Sequence, residues 1–181
     1  MESEPLAVSV GIASMKKKGE SVNGDRGTYF KTDGGVLCVI LSDGMGTGRH
    51  AAKESVEAVR ILEKFLKTGV DPGTAMKILN SVMLLKNNED WGYATVDLVC
   101  IDLFSGEACF YKYGAAPSYV RYGKIIRKVK SESFAAGIFV GRRNTRHGTN
   151  ETETRFGGAH SQRRRTERGR RHMAAPDSLQ I

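Results

Sequence analysis

Little in this chain of 181 residues is suited to cross-linking, because it holds only three cysteines, Cys38, Cys100 and Cys109. Three thiols at such irregular spacing make neither a disulfide framework nor a zinc site. Each lies in an apolar, strand-like run, where a buried reduced thiol is the expected state. Long hydrophobic runs are also missing. No stretch approaches the roughly 20 apolar residues of a membrane helix, and the acidic start MESEPLAV carries no signal-peptide pattern. These absences point to a reducing, cytoplasmic setting with no membrane segment in the chain. Lysine is absent from residues 141–181, which hold 10 Arg against 4 acids, net +6. Residues 1–140 hold 13 Lys and 5 Arg against 16 acids, net +2, so most of the total charge of +8 sits in the final stretch.

What is present fits one domain with an appendage, at about 100–200 residues per domain. LAVSVGIA at 6–13 reads as an opening strand. Residues 26–32 read as a second strand, and Asp33-Gly34-Gly35 as a hairpin turn, since glycine takes the positive φ such turns need. VLCVIL at 36–41 is a β-branched run that suits a strand buried on both faces. The glycine-rich SDGMGTG follows, and then two helices. In 49–68 the spacing of Ala52, Val56, Val59, Leu62 and Leu66 makes one face. In 72–87, capped by Asp71 with Pro72 first, Ala75, Ile78, Val82 and Leu85 line the other. Strands follow at 93–104, 107–115, 118–122 and 125–129, joined as hairpins. Hairpin strands around two helices make an α+β fold. After Ile138 both periodicities stop. Residues 140–181 are therefore expected to be a disordered basic tail, removable without loss of stability, and 1–139 the folded part.

The sharpest local feature is VILSDGMGTG. A buried strand ends at Asp43, and Gly44, Gly46 and Gly48 lead into a helix. A carboxylate at a strand tip, with backbone carbonyls bared by glycine, suits a hard divalent cation such as Mg²⁺ or Mn²⁺. The same pattern also suits a tight strand-to-helix turn with Asp as a cap. Asp25, in SVNGDRG, lies at the far end of the partner strand. A hairpin of equal strands brings Asp25 and Asp43 together, and two converging carboxylates repel unless a cation lies between them.

The run from NGDRGTYF through VLCVILSDGMGTGRHAAKESVEAVRILEKFLKTGVDPGTAMKILNSVM to YATVDLVCIDLFSGEACFYKYGAAPSYVRYGKIIRKVKSES resembles the PPM (PP2C-like) serine phosphatase domain, nearest to its sporulation stage II protein E branch. SDGMG before a G-x-x-A helix start, ATVDL with its IDL continuation, and GAAPSY before a hairpin carry the resemblance over residues 6–138. The resemblance implies an α/β/β/α sandwich with a binuclear Mn²⁺ or Mg²⁺ centre. There a bridging water attacks the phosphorus of a phosphoserine on an anti-anti-sigma-type protein. By the same likeness Asp43 matches the metal-bridging aspartate, and Gly44 the residue whose carbonyl binds one ion. Asp25 matches the acid of the N-terminal motif, one layer out from the ions. Asp97, in TVDL, matches a frequent family residue with a structural hydrogen-bonding role. The helix growing out of the Asp43 loop would shift that ligand when it tilts. Helices 49–68 and 72–87 are also the surface considered for a homodimer.

The likeness fails after Ser133. Two further family aspartates, one in a later SDG-type turn and one in a D-D-x-T pattern, have no match, and Asp177 has neither context. FAAGI opens the expected turn, and the Arg-rich stretch then replaces the rest. This reads as a partial domain with an aberrant or out-of-frame end joined near residue 139. A non-catalytic remnant or binding module of the same fold is therefore the competing reading. A nucleic-acid binder is a third, resting only on the Arg runs at 163–165 and 168–171. No aromatic platform accompanies them, so no specific nucleic acid is expected.

Overall fold

The computed structural model describes residues 4–16, 18–19, 22–46, 48–86, 92–138 and 152–157. In chain order these form β1 (Asp25–Lys31), β2 (Val36–Gly44), α1 (Gly48–Lys67), α2 (Pro72–Lys86), β3 (Ala94–Asp102), β4 (Ala108–Tyr113), β5 (Ser118–Tyr122), β6 (Ile125–Val129) and β7 (Thr152–Phe156). A five-stranded sheet runs β1-β2-β3-β4-β7, antiparallel throughout, and β5–β6 form a separate hairpin. The α+β reading holds. The described residues supply a helical layer, a full sheet and a two-strand piece beyond it.

Each face of the sheet has its own core, because side chains alternate along a strand. On one side α1 and α2 cover Cys38, Ile40, Val96, Leu98, Cys100, Tyr111 and Tyr113. On the other, Leu37, Val39, Val99, Ile101, Ala108 and Phe110 meet Val120 and Val129 of the hairpin. Cys38 and Cys100 face each other across β2 and β3, with Sγ atoms 3.8 Å apart, and all three cysteines are free thiols. Asp71 caps α2 by accepting from Thr74 N–H at 2.9 Å. Gly69, at φ 82°, ends α1 by turning its own N–H and that of Val70 back to Leu66 and Phe65.

Three expectations need correction. Residues 6–13 form no strand. They lie on the sheet's second face beside β1, where Val10 joins the apolar cluster and Ile12 packs against Gly27, so side-chain packing and not a backbone ladder holds them. The buried faces of the helices match the expected ones in part. In α1, Val59, Leu62 and Leu66 are buried as expected, but Ala51, Ser55 and Ala58 complete the face and Val56 is exposed; in α2, Ala75 is buried as expected, but Met76, Leu79 and Met83 join it and Leu85 is exposed. α2 is apolar nearly all round, so spacing alone does not select its buried stripe.

The third correction concerns the tail. Thr152–Phe156 form a strand on the outer edge of β4, and Phe156 packs edge-to-face on Phe110, with centroids 5.5 Å apart at 81°. Glu153 and Arg155 face solvent and pair with each other, as charged side chains on an edge strand do. The other residues of 140–181, including both Arg runs, lie outside the described residues. Phe156→Ala is accordingly expected to destabilise the protein by about 1–2 kcal/mol, less than a fully buried Phe loses. Urea unfolding measures this, and a change under about 0.5 kcal/mol, the range of a surface substitution, would show that β7 does not dock.

Candidate metal-binding face

The second face of the sheet collects the polar residues singled out by the sequence. Leu37, Val39, Leu41 and Asp43 alternate onto it from β2. Asp25 is the register partner of Asp43, as the hairpin reading requires. Thr95 of β3 opposes Asp43 on the other side, and its Oγ1 accepts the Asp43 N–H at 3.3 Å. Ser42 Oγ donates to the Thr95 carbonyl at 2.8 Å, which fixes the end of β2 against β3. Asn23 Oδ1 accepts the Asp25 N–H at 3.0 Å and holds the NGD turn.

Gly24 and Gly44 bring the backbone into the same corner. Gly44 N–H donates to the Gly24 carbonyl at 3.3 Å. A Cβ built on Gly24 would lie 3.7 Å from Asp43 Oδ1 and also 3.7 Å from the Gly44 carbonyl oxygen. The two oxygens therefore converge on one small space that stays open because residue 24 is glycine. Asp43 is exposed as a residue, yet partial burial of its carboxyl raises its pKa above the ordinary value, with the facing Asp25 charge second. The like charge alone gives the same direction.

Sequence reasoning missed Lys112 and Ser118. Lys112 is completely buried on this face, opposite Asp97. Its Nζ donates to Asp97 Oδ2, to the Ala116 carbonyl at 2.9 Å and to Ser118 Oγ at 2.8 Å. Ser118 Oγ in turn donates to Asp97 Oδ2. The signal was a lysine at an inward position of an otherwise apolar strand, FYKYG, one strand from an aspartate. Asp97 thus has the hydrogen-bonding role expected of it.

The donor set of carboxylates and a bared carbonyl fits a hard divalent cation. Among the described residues no group of three or more His, Cys, Asp or Glu side chains is placed to hold a metal. Among the same residues no helix is long and apolar enough to cross a membrane.

The family model for stage II sporulation protein E matches residues 33–156, β7 included. Stage II sporulation protein E of Priestia megaterium is 34% identical over 131 residues, 72% of this chain and 22% of its own length. The Bacillus subtilis protein is 36% identical over 131 residues, 72% of this chain and 16% of its own length. The chain therefore spans about a fifth of the curated relatives it matches. Among solved structures, the PP2C phosphatase domain of SpoIIE from Bacillus subtilis, with a fragment of its regulatory domain, superposes with a TM-score of 0.63 at 30% identity. That match covers 75% of this chain and 38% of that one. RsbX in complex with magnesium shares the fold alone, at TM-score 0.63 and 16% identity, over 80% of this chain and 65% of that one. On these matches the chain belongs to the stage II sporulation protein E family, whose phosphatase domain is of the PP2C type.

Proposed function

We propose that this chain carries the aspartate-bearing face of a metal-dependent protein serine phosphatase, directed at phosphoserine on an anti-anti-sigma-type protein. The observation that supports it is the direct opposition of Asp25 and Asp43 beside the Gly44 carbonyl, in a corner kept open by Gly24. Asp43 and the Gly44 carbonyl would hold Mn²⁺ or Mg²⁺, with Asp25 one layer out. A divalent pair bound there supplies a water acidic enough to act as nucleophile at neutral pH and offsets charge on the phosphoryl group. The protein's own part is to hold Asp43 rigidly, through Thr95 and Ser42, and to set its direction through the α1 turn. The outer faces of α1 and α2, with Val56 and Leu85 exposed, are proposed as the homodimer surface.

Mn²⁺ titration by calorimetry tests the site. Asp43→Asn keeps the shape and removes the anionic ligand, so specific binding should vanish. Parent-like affinity in the variant would sink the assignment. The same variant should behave oppositely toward stability. The folded-state pKa of Asp43 lies above its ordinary 3.8, so its stabilising contribution is full below about pH 4 and is lost as pH rises through the raised value. At pH 7 and without metal the facing carboxylates repel. Asp43→Asn is then expected to stabilise the metal-free protein by about 0.2–1 kcal/mol, the range of exposed charge pairs. Thermal melts at pH 7 in chelator check the sign.

The second reading, a non-catalytic module of this fold, draws on the lack of a third converging ligand among the described residues. It predicts metal-stimulated phosphate release from p-nitrophenyl phosphate near background. Release that needs Mn²⁺ and disappears in Asp43→Asn would exclude it.

A further inference from the structure

One buried oxygen on the same face is unaccounted for. Asp97 is 9% exposed, and its Oδ1 is buried with no hydrogen-bond partner among the described residues. Its other oxygen, Oδ2, is doubly held by Lys112 Nζ and Ser118 Oγ. Lys112 has three acceptors for its three protons and none left for Oδ1. Beside a buried ammonium, Asp97 is a carboxylate, and a carboxylate oxygen can only accept. The vacant acceptor needs a donor from something other than the described protein atoms.

The register gives the neighbours of that oxygen's residue on the same face. Lys112 belongs to β4, and Ser118 follows it, so both draw Oδ2 to the β4 side. Oδ1 takes no part in that clamp. On β2, Leu41 is the register partner of Asp97, and Asp43 sits two residues further along on the same face. Such diagonal neighbours lie about 7–8 Å apart. Among the described residues Asp25, Asp43 and Asp97 do not form a three-side-chain metal group, so Asp97 stands outside the direct ligands while remaining near enough for a link through one water. Mg²⁺, and Mn²⁺ in the same setting, bind through one or two carboxylates and keep several waters, each a strong donor.

We propose that Asp97 is a positioning residue for the divalent cation at Asp43 and Gly44, its Oδ1 accepting a hydrogen bond from a water on that cation while Lys112 and Ser118 clamp Oδ2. The inference rests on the site assigned under Proposed function and adds to it the residue that orients the cation's hydration shell. Partners of this kind typically change metal affinity 10–100-fold.

The test is Mn²⁺ binding to the full chain, read by calorimetry and by the water-proton relaxation of the bound ion, with melting of the metal-free protein followed in parallel. Asp97→Asn is expected to weaken Mn²⁺ binding 10–100-fold and to change the relaxation of the bound ion. Because that variant strands a buried lysine, Asp97→Asn with Lys112→Met is made beside it. This pair of changes leaves no buried charge. It should fold, as the melt shows, and still bind Mn²⁺ as weakly as the single variant. Parent affinity and relaxation in the folded double variant would overturn the proposal and make Oδ1 the seat of a purely structural water. If Asp43→Asn also retains parent affinity, the cation is elsewhere and the site itself falls. If Asp43→Asn loses Mn²⁺ and the double variant does not, only the role of Asp97 falls.

Discussion

Gly44→Ala should destabilise the protein by about 3 kcal/mol or more, because the added Cβ strikes backbone. A Cβ on Gly44 would press into the Ala51 carbonyl oxygen, sit 2.5 Å from the Ala51 carbonyl carbon and 2.9 Å from its Cα. These are backbone atoms of the first turn of α1, so no side-chain rotation relieves the clash. Either β2 bends or α1 backs away. α1 carries Ala58, Val59, Leu62 and Leu66 into the main core, and moving it opens that core along its length. Overpacking a tight site costs about 1–3 kcal/mol and occasionally more, and a backbone clash belongs at or above the top of that range. We expect a loss of about 3 kcal/mol or more in urea unfolding, together with loss of Mn²⁺ binding, since the Gly44 carbonyl moves with its residue. Gly46→Ala is the comparison. Its Cβ would meet nothing within 4 Å, but its φ is 107°, so only local backbone strain of roughly 1–2 kcal/mol is expected. Equal losses in the two variants would mean that α1 does not rest on Gly44 in solution.

The contact also shows why this close approach and the pairing of Asp25 with Asp43 were readable from sequence. A buried β-branched run, an aspartate at its tip and three glycines before an amphipathic helix describe a close approach of helix to strand. The DGG turn at 33–35 sets the register that pairs Asp25 with Asp43. Both features are local, and period-2 and period-3.6 patterns report local geometry well. The misses were not local. LAVSVGIA has strand composition, but here the segment is held by Val10 and Ile12 packing onto a face of the sheet, a contact its own pattern does not report. TETRF has alternation over five residues with a single large apolar side chain, inside an arginine-rich stretch. What makes it a strand is Phe110, more than forty residues earlier, and the open edge of β4. Lys112 reads as a solvated charge until β3 places Asp97 opposite it.

Lys112→Met is the second variant expected to show a large effect, and it separates burial from charge. The lysine side chain is 0% exposed and that of Asp97 is 11% exposed, so neither is solvated to a useful degree. Met keeps the length and apolar volume of the lysine stem, so packing changes little. What disappears is the cation. Asp97 then remains as a buried carboxylate with only Ser118 as protein donor, and the Ala116 carbonyl loses its partner as well. Breaking a buried pair from one side typically costs about 3–5 kcal/mol, whereas replacing both partners with neutral groups is often nearly neutral. The single variant should therefore lose roughly 3–5 kcal/mol in urea unfolding, and adding Asp97→Asn should recover most of it. The hairpin should loosen in the single variant, since Lys112 and Asp97 tie Ser118, the first residue of β5, to the sheet. Amide exchange across β5 and β6 would report that loosening. A single-variant loss below about 1 kcal/mol, the ceiling for an exposed pair, would mean that bulk solvent screens the pair and that it is not a buried clamp.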